Sequence, residues 1–284
     1  MTPDFILIGA GKSGTTSIHA YLADHPQVCT NQKKELYYFT DSTTQRKMRH
    51  WGVIGSLQEY EEQFSHQKEG QKIIEVSTVY YNNAGAAKLI YEHNPNVKLL
   101  MILRDPSQRA FSDYMMKIRG ARSIGPVEEE LANPDSIMVR RGQYYSQIQS
   151  FLEYFPRENF RVFFFEDFVK DRKKFYESLC DFLGIEAILP QKQYHGRKGG
   201  QPKKMWLHKL LTKKNPIRDT AAAVMRRFVP AQQRQSLRTK LVKSNMEKAR
   251  LPSATRAQLI DIYREEIDQL EQLLNVDLEH WKKI

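Results

Sequence analysis

Short unbroken apolar runs alternate along this chain with stretches where apolar residues return every three or four positions. Phe5-Ile6-Leu7-Ile8, Lys72–Val76, Val97–Leu103 and Phe160–Phe165 are too short and too continuous for amphipathic helices. They predict strands buried on both faces, and Val28-Cys29-Thr30 predicts a shorter one. Between them, helices are predicted from Thr15 (Ile18, Tyr21 and Leu22 on one face), over Ala84–His93, Ser107–Lys117, Tyr144–Tyr154, and Phe168–Leu183 with Gly184 as its stop. Residues 40–70 predict irregular polar structure with helical patches around Leu57–Phe64, and 120–135 a loop. Strands alternating with helices predict an α/β fold, a doubly wound parallel sheet flanked by helices.

The pattern changes after His195. A basic, glycine-containing loop leads into basic amphipathic segments broken at Pro216 and Pro230. A last helix over Ser253–Leu274 carries Ile260, Tyr263, Ile267, Leu270 and Leu274 on one stripe, which predicts packing back onto the domain. The expected organisation is a single domain over 1–284: an α/β core (1–196), a basic helical lid (197–252) and a terminal helix (253–284).

Charge sharpens this division. The formal net charge is +11, yet Arg197–Arg250 holds sixteen Lys or Arg against two acids, a balance of +14 that leaves about −3 elsewhere. Such a block suits an anionic ligand or surface, or else is a solvated helical face. With 40% hydrophobic residues, disorder is not expected, and no apolar run nears the length of a membrane span. Cys29 and Cys180 are too few for a disulfide framework, and the first strand begins after four residues. These features predict a cytoplasmic protein without a signal peptide or membrane anchor, though peripheral membrane contact is allowed.

The candidate chemistry starts at GAGKSGTTS. Strand, glycine loop and helix N-terminus aim free backbone N–H groups and the helix dipole at one point, an anion site. Gly9 and Gly14 have the spacing of a nucleotide-binding P-loop, but Thr15 stands where that loop's lysine belongs and the lysine is inside the loop, at Lys12. The loop therefore suits a phosphate-like group other than the terminal phosphates of ATP; the plain alternative is a glycine turn with an exposed lysine. Arg104, at the carboxyl end of the Val97–Leu103 strand, faces the crevice where open α/β sheets bind ligands, with Ser112 two turns along the next helix. Otherwise Arg104 is a helix-pairing arginine and Ser112 a neutral helix residue.

GAGKSGTTS, KELYYF, LRDPSQRAFSDY and FEDFVKD followed by FLGI, in this order, resemble the sulfotransferases that use 3′-phosphoadenosine 5′-phosphosulfate, PAPS. The flavour is bacterial, similar to the carbohydrate and heparan-sulfate branch, and the resemblance covers almost the whole chain. It implies a P-loop-like fold. It also implies that Lys12, Ser13, Gly14, Thr15 and Thr16 hold the 5′-phosphosulfate, and that Arg104 and Ser112 hold the 3′-phosphate. Arg197, Lys198 and Gly199 match the late basic loop that closes on the donor, with Lys203 or Lys204 as substitutes. Glu35 matches the general base, with a surface ion pair as its plain alternative, and Lys34 and Glu75 fall on the acceptor side, with Glu75 a reserve base; Tyr80 and Tyr81 either line an acceptor pocket or are aromatic core residues. Two departures fall near the acceptor. The Glu-Lys-Ser/Thr-Pro segment reads Glu75-Val76-Ser77-Thr78, without its lysine, and an aromatic-histidine pattern reads Tyr37-Tyr38.

The implied reaction is in-line sulfuryl transfer to an acceptor hydroxyl of a carbohydrate, glycolipid or small metabolite. Lys12 stabilises the leaving 5′-phosphate, Glu35 takes the proton, PAP (3′-phosphoadenosine 5′-phosphate) is the product, and no metal is needed. The rivals are a P-loop kinase, which lacks its lysine and an acidic magnesium site, and a polyanion-binding protein resting on the basic block. Nucleic acid is not expected, because that block has few aromatics for stacking on bases. Oligomeric state is not legible.

Overall fold

The computed structural model describes residues 1–48, 52–120, 122, 124–189, 200–212 and 231–284. The chain divides into two compact units: Met1–Arg109, Arg141–Gly196 and Tyr263–Lys283 form the first, and Ala110–Arg140 with Arg197–Ile262 and Ile284 the second. Residues 110–140, expected in the core, thus group with the basic section.

The first unit holds the sheet. β1 (Phe5–Gly9) is followed by α1 (Thr15–Ala23), β2 (Val28–Thr30), α2 (Ser42–Met48), α3 (Leu57–Glu62), β3 (Lys72–Val76), α4 (Ala86–His93) and β4 (Lys98–Leu103). α5 (Pro106–Arg119) leads through the second unit, where α6 (Val127–Ala132) and α7 (Ile137–Arg140) follow. The first unit resumes with α8 (Tyr144–Leu152), β5 (Phe160–Phe164), α9 (Phe165–Lys170) and α10 (Arg172–Leu183). All five strands are parallel, in the order β2-β3-β1-β4-β5. The sheet is the expected one, with helices on its flanks.

Each apolar run became a strand because it has two faces to bury. β1 is buried at every position, and Leu7, Ile74, Val76, Leu100 and Ile102 share a core with Ile18 and Leu22 of α1 and Phe175 and Leu179 of α10. β1 sits between β3 and β4, so the loop after it opens at the centre of the carboxyl edge. That edge is where open α/β sheets bind their ligands.

Three local expectations are corrected. The helix expected over Phe168–Leu183 is two, because Asp171 turns extended and its side chain accepts from Lys174 N at 3.0 Å, starting α10 afresh. The loop expected over 120–135 contains α6: Pro126 sets its start and Glu128, Glu129 and Glu130 fill the first turn, where the helix dipole favours acids. In the polar stretch 40–70, α2 forms where Asp41 accepts from Thr43 N and Thr44 N at 2.9 Å each.

The described part of the basic section belongs to the second unit. β6 (Gln201–Pro202) and β7 (Met246–Glu247) form an antiparallel ribbon, accompanied by α11 (Met205–Thr212) and α12 (Ala231–Ser244). The terminal α13 (Ser253–Leu274) has the expected bounds, and Ile260, Tyr263, Ile267 and Leu270 of its stripe are buried.

Gly142 shows how closely α13 packs within the first unit: a Cβ there would lie 2.7 Å from the Tyr263 ring. The Tyr263 ring is fully buried on α13, so it has no open space into which to retreat and the overlap cannot be relieved cheaply. Gly142→Ala is expected to destabilise the fold by about 1–3 kcal/mol, read as a lowered urea midpoint with unchanged slope.

Candidate active site

The site is built from loops at the carboxyl ends of β1, β2, β3, β4 and β5. After β1 the chain turns through Lys12 (φ 79°) and Gly14 (φ 80°), both left-handed, and Gly14 caps α1. Gly14 is required twice over, since a Cβ would also lie 2.8 Å from the Phe165 ring. Gly9 has the same steric need, with Tyr81 atoms 2.6 Å from a Cβ placed there. Gly11 is different: a Cβ would meet only Thr78 Oγ1, at 3.9 Å, so the loop is open on that side. Ser13 Oγ is buried and has no hydrogen-bond partner among the described residues. Thr15 is buried at the first turn of α1, while Thr16 is exposed.

Arg104 closes the loop's other flank. Its Nη1 donates to Lys12 O at 3.3 Å, and its guanidinium lies 5.1 Å from the Phe165 ring centroid. Its own carbonyl accepts from the Tyr144 hydroxyl at 3.0 Å, which anchors the end of β4. Burial lowers its pKa, opposed chiefly by the charge of Glu166. Glu166 Oε1 accepts from Asp105 N at 3.0 Å; its Oε2 is buried without a hydrogen-bond partner among the described residues, and burial raises its pKa. The sequence reading had no role for Glu166, although its place directly after a buried strand was the available signal.

Glu35 lies across from the glycine loop. Its Oε1 accepts from Thr78 Oγ1 at 2.7 Å and pairs with Lys34 Nζ at 3.2 Å. Its Oε2 is buried and lacks a hydrogen-bond partner among the described residues. Glu35 and Tyr37 both have positive φ, at 66° and 58°. They are held by bonds to the end of β3: Glu35 N to Val76 O at 3.4 Å and Leu36 N to Ser77 Oγ at 3.0 Å. Asn31 adds two more, donating to Lys33 O at 2.7 Å and accepting from Val76 N at 2.7 Å. Burial, then the charge of Glu35, raises the pKa of the Tyr37 phenol.

Glu75, expected on the acceptor side, is an interior residue, and Tyr80 and Tyr81 are buried in the aromatic core. Glu75 is fully buried, accepting from Tyr60 at 2.6 Å and from Tyr80 at 2.7 Å. Tyr38 stacks on Tyr60 at 4.5 Å between centroids, so this aromatic group forms a floor under the Glu35 loop. Tyr81 packs on Gly9 and donates to Arg141 O at 3.1 Å. The physical reason is strand alternation: the side of β3 that carries Glu75 faces packed aromatics, so a carboxyl there serves as a hydrogen-bond hub. Ser112 is half-buried on the part of α5 within the second unit, and Lys203 and Lys204 are exposed in that unit. Arg197, Lys198 and Gly199 lie outside the described residues.

Known proteins can now be set beside this geometry. The sequence profile described as "Sulfotransferase family" matches residues 3–189. The chain belongs to the sulfotransferase family. Among curated relatives it is 36% identical over 118 residues to membrane-associated sulfotransferase kil1 of Dictyostelium discoideum, covering 41% of this chain and 23% of that one. It is 28% identical over 171 residues to human heparan sulfate glucosamine 3-O-sulfotransferase 5, covering 56% of this chain and 47% of that protein. The chain thus spans from about a quarter to a half of these relatives' length. A crystal structure of a sulfotransferase from Alicyclobacillus acidocaldarius superposes with a TM-score of 0.72 at 23% identity over the whole of both chains, so the fold is shared. Among the described residues no helix is long and apolar enough to cross a membrane, and no group of three or more His, Cys, Asp or Glu is placed to hold a metal ion.

The burial of Glu75 has a measurable consequence for this family member. Burial raises its pKa, outweighing the hydrogen bonds from Ser77, Tyr60 and Tyr80 that favour the charged form. Above the ordinary glutamate value of about 4.3, the unfolded chain has lost this proton while the folded chain keeps it, so folding takes a proton up. Stability contributed at this site therefore falls as pH rises from that value to the raised folded one. Glu75→Gln, which keeps the neutral shape, removes the slope. In urea denaturation across that range, the stability of wild type relative to the variant is expected to fall with increasing pH.

Proposed function

We propose that this sulfotransferase moves a sulfuryl group from PAPS to a hydroxyl of a carbohydrate acceptor by in-line displacement. The observation that carries the reading is the buried Ser13 hydroxyl, without a hydrogen-bond partner among the described residues, within a loop whose left-handed turns and helix N-terminus suit an anion. A buried hydroxyl without a partner costs about 1–3 kcal/mol, and an oxyanion ligand in the loop would satisfy it. Ser13 and the backbone N–H groups of Gly14 and Thr15, with Thr16 at the rim, would bind the 5′-phosphosulfate. Arg104, fixed by Lys12 O and the Phe165 ring, would bind the 3′-phosphate, and Ser112 is the second residue that the sequence resemblance implies for that group.

When bound, PAPS supplies an activated sulfuryl group whose leaving group is a nucleotide phosphate. Lys12 would oppose the negative charge that builds on the bridging oxygen as its bond to sulfur breaks. Glu35 would take the acceptor's proton as the new S–O bond forms, because a hydroxyl of high pKa is a weak nucleophile without a base. A carbohydrate acceptor is supported by the relatives named as heparan sulfate glucosamine sulfotransferases. Arg197, Lys198 and Gly199 would complete the donor site as the sequence resemblance implies.

Calorimetry with PAP, without added magnesium, tests the donor reading. Wild type is expected to bind, and Arg104→Ala to bind about 10- to 100-fold more weakly, the loss typical of a hydrogen bond to a charged group. Equal affinity in the two proteins would remove Arg104 from the donor site; no binding to wild type would overturn the donor assignment.

A further inference from the structure

Thr78 lies between the glycine loop and Glu35. Its Oγ1 donates to Glu35 Oε1 at 2.7 Å and lies 3.9 Å from a Cβ placed on Gly11. Its own side chain is 6% exposed, so the hydroxyl is shielded from water that would compete for the bond. Lys34 shares the same carboxylate oxygen at 3.2 Å, leaving the lone pairs of Oε2 uncommitted among the described residues. The two donors therefore differentiate the two oxygens of one carboxylate.

From this geometry we infer that Thr78 is a positioning residue, which with Lys34 fixes Glu35 Oε1 so that Oε2 receives the acceptor proton. The inference rests on the sulfotransferase reading with Glu35 as base. Atoms balance simply: the acceptor O–H bond breaks as its oxygen bonds sulfur, the proton passes to Oε2, and the bridging oxygen leaves with the nucleotide. Oε2 is covered in this arrangement, so an entering hydroxyl must displace its cover and then finds a dry base. Holding the other oxygen is what keeps the carboxylate from turning away, because the terminal torsion of a glutamate is soft. The role also accounts for a hydroxyl at the fourth position of Glu75-Val76-Ser77-Thr78, a segment that brings no cation to the site.

The test compares wild type, Thr78→Val and Thr78→Ser. Valine keeps the shape and removes the donor; serine keeps the donor. Crystal structures of all three with PAP need no acceptor. Glu35 is expected to hold its position in wild type and Thr78→Ser and to change its side-chain torsions in Thr78→Val. Donor cleavage, read as PAP formed from PAPS with water as the probe nucleophile, is expected to drop about 10- to 100-fold in Thr78→Val with KM for PAPS within twofold. Thr78→Ser should recover most of that loss. An unmoved Glu35 in Thr78→Val, or equal loss in both variants, overturns the role. Failure of wild type to bind PAP sinks the donor reading instead, while structures of the unliganded proteins still decide whether Thr78 sets the position of Glu35.

Discussion

Three residues with side chains, Lys12, Glu35 and Tyr37, are bent through left-handed backbone conformations around one crevice, and everything proposed for the site depends on their being held there. Such a conformation costs a residue with a Cβ about 1–3 kcal/mol. The bonds that oppose the cost at Glu35 and Tyr37 are those to the end of β3, from Glu35 N, Leu36 N and the Asn31 amide. At about 1 kcal/mol net each, they roughly match the strain and leave little reserve. The Glu35 loop is thus held by the sheet edge, and its precision is only as good as that edge.

The edge in turn is fixed from beneath. Glu75 ties Tyr60 and Tyr80 together, Tyr38 stacks on Tyr60, and the packed group leaves β3 no freedom to tilt. Around the glycine loop, Tyr81 fills the space above Gly9, and Phe165 lies against both Gly14 and Arg104. Aromatic side chains therefore do the same work on both halves: broad, rigid surfaces against which glycine and a flexible arginine acquire one position. Burial holds the Glu75 carboxyl at the centre of this floor toward its neutral form, in which it still accepts from both tyrosines.

The sheet was legible because its strands are buried on both faces, so continuous apolar runs had one reading. The glycine loop was legible for a related reason: a glycine forced by φ and by Phe165, as at Gly14, has no cheaper substitute. Part of what escaped was decided by partners distant in sequence. Nothing local in Lys72–Val76 tells whether Glu75 meets solvent or Tyr60 and Tyr80, because strand alternation gives the face but not what covers it. Asp171 split a helix that periodicity alone kept whole, since a capping side chain acts through one backbone N–H and leaves the apolar stripe intact. α6 was hidden by the opposite effect: Gly125 and Pro126 read as loop punctuation, yet proline is well suited to a helix start. Arg104 was anticipated by its place at a strand end, but its anchors, Lys12 O in the glycine loop and the Phe165 ring at the start of α9, lie some ninety and sixty positions away.

The missing lysine of the Glu75-Val76-Ser77-Thr78 segment is then a statement about geometry as much as chemistry. Val76 is buried in the shared core with Leu7, Ile74 and Leu100, and both its N–H and its carbonyl are engaged by the loop that bears Glu35. At this position β3 contributes backbone to the site, and a charged side chain would have to leave a packed apolar cluster at a cost of several kcal/mol. The positive charge beside Glu35 comes from Lys34, on the same loop, where the two pair directly. Carboxylate and cation thus lie together on one segment pinned to the end of β3, and it is this loop, more than the strand beneath it, that places charge at the crevice.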